Sequence, residues 1–131
     1  MIRLSQKYEF SAAHRLHNPK LSAAENVALF GKCNNPHGHG HNYELEVTVK
    51  GSADGNGRVT PIHELDEIVA RTVISRFDHK FLNIETPEFA ERNPTVENIA
   101  QTIYKMLKGE LPELAAVTVW ETPKTWCEYE E

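Results

Sequence analysis

Four residues of kinds that bind metals or move protons crowd into one short stretch of the chain. In "CNNPHGHGHNY", Cys33 is followed by His37, His39 and His41 within nine residues. A fourth imidazole, His14, closes "FSAAH" near the start. Neutral histidines in threes, with a coordination position left open, are the ligand set of a catalytic zinc rather than a structural one. A cysteine beside such ligands is a candidate base or nucleophile. Its bland alternative is a partly buried, inert thiol. Cys33 is separated from His37 by three residues and from His39 by five, so either His-Gly-His pair could be the working one.

The elements that carry these residues select among them. "IRLSQKYEFSAAH" alternates, with Ile2, Leu4, Tyr8, Phe10, Ala12 and His14 sharing one face. "HNYELEVTVKG" alternates too, and His39 and His41 share parity with Tyr43, Leu45, Val47 and Val49. Parity thus predicts that His14, His39 and His41 converge on the apolar side of a sheet. His37 sits between Pro36 and Gly38, where a loop is expected, and is read as outside the ligand set or exposed.

Further along, "SADGNG" signals a turn, from which Arg58 to Thr60 should return as a hairpin strand. Thr60 and Pro61 read as N-cap and first position of a helix whose stripe is Ile62, Leu65, Val69, Val73 and Phe77. Asn93 or Thr95, with Pro94 between them, opens a second helix with stripe Val96, Ile99, Ala100, Ile103 and Leu107, ended by Lys108 and Gly109. "AAVTVWET" is a strand and "TWCEY" a short one, with Trp120, Trp126 and Cys127 read as packing residues. Glu121 shares parity with Val117 and Val119, which places a carboxylate at the end of an apolar face, where it needs a partner. The whole is an α+β arrangement, an antiparallel sheet with two covering helices.

Composition narrows the function. A chain of 131 residues fits one domain, residues 1–131, able to bury ~65–70% of its unfolded surface. A formal charge of −5 argues against nucleic acid as a partner. The lack of a long apolar run argues against a membrane span or a signal peptide. Two cysteines, one inside a histidine cluster, point to a reducing, cytoplasmic setting.

"FSAAHRL", "FGKCNNPHGHGHNY", "FDHKFLN", "PTVENIA" and "VWET", in this order, resemble the 6-pyruvoyl-tetrahydropterin synthase family, which includes the 6-carboxytetrahydropterin synthases of queuosine biosynthesis. The resemblance implies a T-fold: a four-stranded antiparallel sheet with two helices on one face. Sheets of three subunits close into a barrel, and two trimers stack into a homohexamer. It implies Zn2+ on His14, His39 and His41, the trio that parity selects. It places the catalytic cysteine at Cys33, a paired Asp and His at Asp78 and His79, and the pterin-anchoring acid at Glu121. Thr95 and Glu97 then line the pterin pocket.

Some of these residues also have ordinary structural readings. Asp78 and His79 could simply end a helix, and Glu97 could simply cap one. The expected reaction is a lyase step on 7,8-dihydroneopterin triphosphate, giving 6-pyruvoyl-tetrahydropterin with loss of triphosphate. The alternative product is 6-carboxy-5,6,7,8-tetrahydropterin, with release of acetaldehyde. The five-residue spacing matches the pyruvoyl enzymes and the three-residue spacing the carboxy enzymes, and this chain satisfies both. Pro61 departs from the family's usual Asp or Asn. A zinc hydrolase or a non-catalytic zinc-binding module are readings of another class. A triphosphate needs cations on this acidic chain, and Arg15, Lys32, Lys80 and Lys124 lie near the motifs.

Overall fold

The computed structural model describes residues 1–131. Strands β1 (Ile2–His14) and β2 (His39–Gly51) form one long antiparallel ladder, from Ile2 opposite Gly51 to His14 opposite His39. Strand β4 (Leu114–Thr122) pairs antiparallel with the other edge of β2, and β5 (Thr125–Tyr129) with β4. A two-residue strand, β3 (Lys80–Phe81), lies parallel to β1 at Ala12 and Ala13. The sheet is therefore five-stranded and mixed, in the order β3-β1-β2-β4-β5, rather than the four-stranded antiparallel sheet that the family resemblance implies. Two residues carry no visible alternation, which is why β3 leaves no pattern to read.

The expected hairpin strand at Arg58–Thr60 does not form. The turn itself is present: Asp54 accepts from the backbone N–H of Asn56 and Arg58 at 2.8 and 3.0 Å. Both edges of β2 are taken by β1 and β4, so a returning strand has no free edge to join. The chain enters a helical run instead, α2 (Ile62–Val69), a π turn (Ala70–Ile74) and α3 (Ser75–Phe77). Pro61, not Thr60, is the N-cap, and the Thr60 hydroxyl donates to Glu113 at 2.8 Å instead of capping the helix.

The run buries Leu65, Val69, Val73 and Phe77, one side chain every four residues. In a helix of 3.6 residues per turn such a repeat drifts by ~40° per step. The wider π turn between Val69 and Ile74 turns part of that drift back, keeping all four side chains on the sheet.

Between β1 and β2 lies a further short helix, α1 (Ala23–Phe30). Its signal was present: Ser22 and Glu25 form a reciprocal capping box. A four-residue helix, α4 (Leu82–Glu85), follows β3. The last helix, α5 (Val96–Lys108), is capped by Thr95 and stops at Gly109 as expected. It and the run over residues 62–77 bury Phe10, Tyr43, Leu45, Val47, Val117 and Val119 of the sheet. The opposite face of the sheet carries Glu9, Ser11, Asn42, Glu44 and Glu46. Cys127 is partly buried against the core, but Trp126, expected to pack, is 56% exposed with its ring 6.3 Å from that of Trp120.

Candidate active site

Register brings the three histidines together. His14 lies directly opposite His39, and His41 opposite Ala12, so alternation leaves all three rings on the apolar face. The Nε2 atoms of His14 and His39 are 3.1 Å apart, and those of His39 and His41 3.3 Å. His14 is fully buried, and its Nδ1–H donates to the Pro94 carbonyl at 2.8 Å. That bond fixes the tautomer and leaves a lone pair on Nε2. Burial lowers the pKa of His14 and, against the opposing charge of Glu121, that of His41. Both rings are thereby held in the neutral form that binds metals.

Three imidazole nitrogens this close compete for protons unless a cation sits between them. The edge of a tetrahedron with Zn–N bonds of about 2.05 Å is ~3.3 Å, close to the observed spacings. The donor set fits zinc.

Two further groups flank the trio. Cys33 sits in a 3-10 turn (Gly31–Asn34), and its carbonyl accepts from the Leu16 N–H at 2.7 Å. The thiol sulfur and the ring nitrogens of His14 and His39 lie within 4.8 Å of one another. Burial and, secondarily, the Glu121 charge push the thiol pKa up. On the other side, a Glu121 carboxylate oxygen is 3.9 Å from His41 Nε2. Glu121 lies where the β4–β5 register shifts between Trp120 and Thr122, the kind of irregularity that re-aims a strand side chain.

Asp78 and His79 stand apart from this cluster. Asp78 accepts from the Ser11 N–H at 2.9 Å and from His79 Nδ1 at 2.9 Å, while the His79 N–H donates to the Ser11 carbonyl. These bonds, the Ser11 one first, pull the Asp78 carboxyl below its ordinary pKa. The pair occupies the edge of β1 beside β3, and the His79 side chain is 81% exposed. Neighbouring residues can bond in this way because His79 takes a left-handed conformation, φ 60°.

Thr95 spends its hydroxyl on capping α5, accepting from the Asn98 N–H at 3.1 Å. Glu97 is exposed in the first turn of α5, and its charge bears on the Cys127 thiol. His37 is exposed in the loop before β2. Beside it, Gly38 has φ 73°, and a Cβ there would come within 2.8 Å of Phe81. The sequence reading missed the Pro94 carbonyl, which no side-chain pattern reveals. It also missed Asn34, whose buried amide donates to the Leu16 carbonyl at 2.7 Å.

Three histidines on an antiparallel β1–β2 pair, flanked by a thiol and a carboxylate, make a candidate metal centre on a fold of the α+β class. The profile of the 6-pyruvoyl tetrahydropterin synthase family matches residues 3–131, and the chain belongs to that family. A Drosophila melanogaster protein named 6-pyruvoyl tetrahydrobiopterin synthase is 46% identical over 130 residues, 96% of this chain and 77% of its own length. The solved structure of Caenorhabditis elegans 6-pyruvoyl tetrahydropterin synthase superposes with a TM-score of 0.94 at 37% identity, covering 99% of this chain and 95% of the other. A Haemophilus influenzae 6-carboxy-5,6,7,8-tetrahydropterin synthase is 28% identical over the full length of both chains.

Proposed function

We propose that the chain is a zinc-dependent lyase converting 7,8-dihydroneopterin triphosphate to 6-pyruvoyl-tetrahydropterin and triphosphate. One observation carries the pyruvoyl reading over the carboxy one. His39 and His41, separated from Cys33 by five and seven residues, enter the cluster, while His37 stays exposed in its loop. The higher identity to the pyruvoyl relative supports the same choice.

The reaction balances within the substrate. Two carbinol carbons of the side chain become carbonyls, and the electrons go to the pterin C6–N5 double bond, which is reduced, and to C3′, which becomes a methyl group as its bond to triphosphate breaks. No external oxidant is required. Zinc on His14, His39 and His41 would supply a Lewis acid that acidifies the side-chain hydroxyls. Cys33, beside the trio, takes the carbon-bound proton as general base, its thiolate being favoured by the positive charge that a bound zinc would bring to the neighbouring imidazoles. Glu121 accepts two parallel N–H bonds from the guanidine-like edge of the pterin. Thr95 and Glu97, at the start of α5, line the ring's pocket.

Asp78 and His79 relay protons from the edge of β1, a place suited to a subunit boundary. Apart from Ser11, bonded to Asp78 and His79, and the two residues facing β3, the outer edge of β1 is unpaired within the chain, and so is that of β5. Exposed edges of this kind favour closure with neighbouring sheets, here into the barrel of a homohexamer built from two trimers. Two free cysteines fit a cytoplasmic setting. No helix is long and apolar enough to cross a membrane.

Mass spectrometry after mixing zinc-loaded protein with 7,8-dihydroneopterin triphosphate tests the reading. The expected product is the 6-pyruvoyl pterin. A 6-carboxy product with acetaldehyde would move the chain to the queuosine branch. Unchanged substrate would favour a non-catalytic zinc module.

A further inference from the structure

Cys33 reaches the histidine cluster from outside the β1–β2 ladder, on the short turn Gly31–Asn34. Gly31 and Lys32 are exposed and Cys33 is half-buried, so the turn has no apolar side chain to anchor it. Its single buried side chain is polar, that of Asn34.

Four hydrogen bonds fasten the turn to the three residues that follow His14. The Leu16 N–H donates to the Cys33 carbonyl at 2.7 Å. The Asn34 side chain returns the contact, its Nδ2 donating to the Leu16 carbonyl at 2.7 Å and to His17 Nδ1 at 3.0 Å. The Asn34 carbonyl accepts from Arg15 Nε at 3.2 Å. Both backbone groups of Leu16 are thus held by the turn, one through the main chain of Cys33 and one through the side chain of Asn34.

An asparagine in a tight turn ordinarily bonds its own backbone two residues on. Asn35 does so, its Oδ1 accepting from the His37 N–H at 3.3 Å. Asn34 instead sends its amide across to the end of β1. Apolar burial would hold the turn without direction. Two donors on one planar amide fix both distance and angle between the segments they join. The residue aimed in this way is Cys33, whose sulfur lies within 4.8 Å of the ring nitrogens of His14 and His39. A misplacement of about 1 Å is enough to spoil the alignment of a reacting pair.

We propose that Asn34 is a positioning residue for Cys33: it locks the turn to the end of β1 and so aims the thiol at the histidine cluster. Asn34 itself touches no reacting atom. The proposal rests on the general-base reading of Cys33 above and names what orients that base.

Hydrogen exchange and kinetics on zinc-loaded protein test the two halves of this. Asn34→Leu keeps most of the side chain's bulk and removes its donors. The Leu16 amide, read by mass spectrometry, should exchange roughly tenfold faster in the variant, as a local opening no longer opposed by the Asn34 bonds. An unchanged exchange rate would overturn the lock. For turnover, kcat should fall roughly tenfold with KM within about twofold of the parent's, the pattern of an interaction that matters only in the transition state. In a Cys33→Ala background the same substitution should lower kcat no further, because the group it aims is gone. A merely structural asparagine would leave kcat of the folded variant unchanged, or would lower it equally in both backgrounds, and either result overturns the proposal. Should Asn34→Leu fail to fold, Asn34→Asp is judged by the same readouts, being equal in shape and without a donor for the Leu16 carbonyl. A parent inactive on 7,8-dihydroneopterin triphosphate would count against the pterin reading instead, and exchange at Leu16 would still decide the lock.

Discussion

The Nδ1–H of His14 points at the carbonyl of Pro94, 2.8 Å away and 80 residues later in the chain. The bond ties the end of β1 to the segment that opens α5, and it presents the Nε2 lone pair to His39 and His41. His14→Ala removes a metal donor and leaves that carbonyl without its partner. The variant should retain little zinc by elemental analysis, whereas the parent should hold about one ion per chain. Chelation of the parent should lower its melting temperature by roughly ten degrees, because a ligand at a hundred times its Kd contributes about 2.7 kcal/mol. Full zinc occupancy in His14→Ala would show that the trio is not the metal site.

Cys33 touches the same cluster from a separate element, and its loss should have a different signature. Cys33→Ala keeps all three imidazoles, so zinc content and melting temperature should stay close to the parent's. Turnover should fall by roughly 10²–10⁴, the usual contribution of a positioned general base. Steady-state kinetics on zinc-loaded variant and parent would measure this, and normal turnover would remove Cys33 from the mechanism.

Strand parity made much of this site legible in advance. A period of two carries His14, His39 and His41 to the face that holds Phe10, Tyr43 and Leu45, and the ladder then sets them opposite each other. Parity also directed Glu121 toward the same face, although it lies in a register shift, where parity alone is a weak guide. What stayed hidden depended on tertiary context. Whether Arg58–Thr60 could return as a strand was decided by β4, which occupies the β2 edge from more than fifty residues away. Thr60 looked like a cap until Glu113, distant in sequence, took its hydroxyl. The α1 helix was missed for a different reason, since its Ser22–Glu25 box lay in plain view beneath a weak apolar stripe.

His79 offers a test in which stability and activity should move in opposite directions. Its φ of 60° costs a residue with a Cβ roughly 1–2 kcal/mol, a cost that glycine avoids. The exposed contact with Asp78 returns little. His79→Gly should therefore melt a few degrees above His79→Ala, while both lose turnover if the imidazole relays protons. Equal melting points would mean that the left-handed turn is not held in solution, and undiminished turnover in both would leave the ring without a catalytic part.

Cys127 governs how the fold responds to alkali. Its thiol donates to the Val96 carbonyl at 3.2 Å, beside the start of α5. Burial first, then the charges of Glu97 and Glu121, push its pKa up to about 11. In the unfolded chain a cysteine titrates near 8.5. Between those values the folded state binds more protons than the unfolded one, so stability must fall as pH rises. The contribution is whole below about pH 8.5 and is lost progressively toward pH 11. Tyr8, raised by burial and then by its bond to Asp66, acts in the same direction at still higher pH. Urea midpoints measured from pH 8 to pH 10.5 should therefore decline in the parent. In Cys127→Ala they should start lower, because the bond to Val96 is gone, and decline less steeply. The difference in slope isolates this thiol, since Cys33 and Tyr8 titrate in both proteins. Parallel slopes would show that the Cys127 proton is not held by the fold.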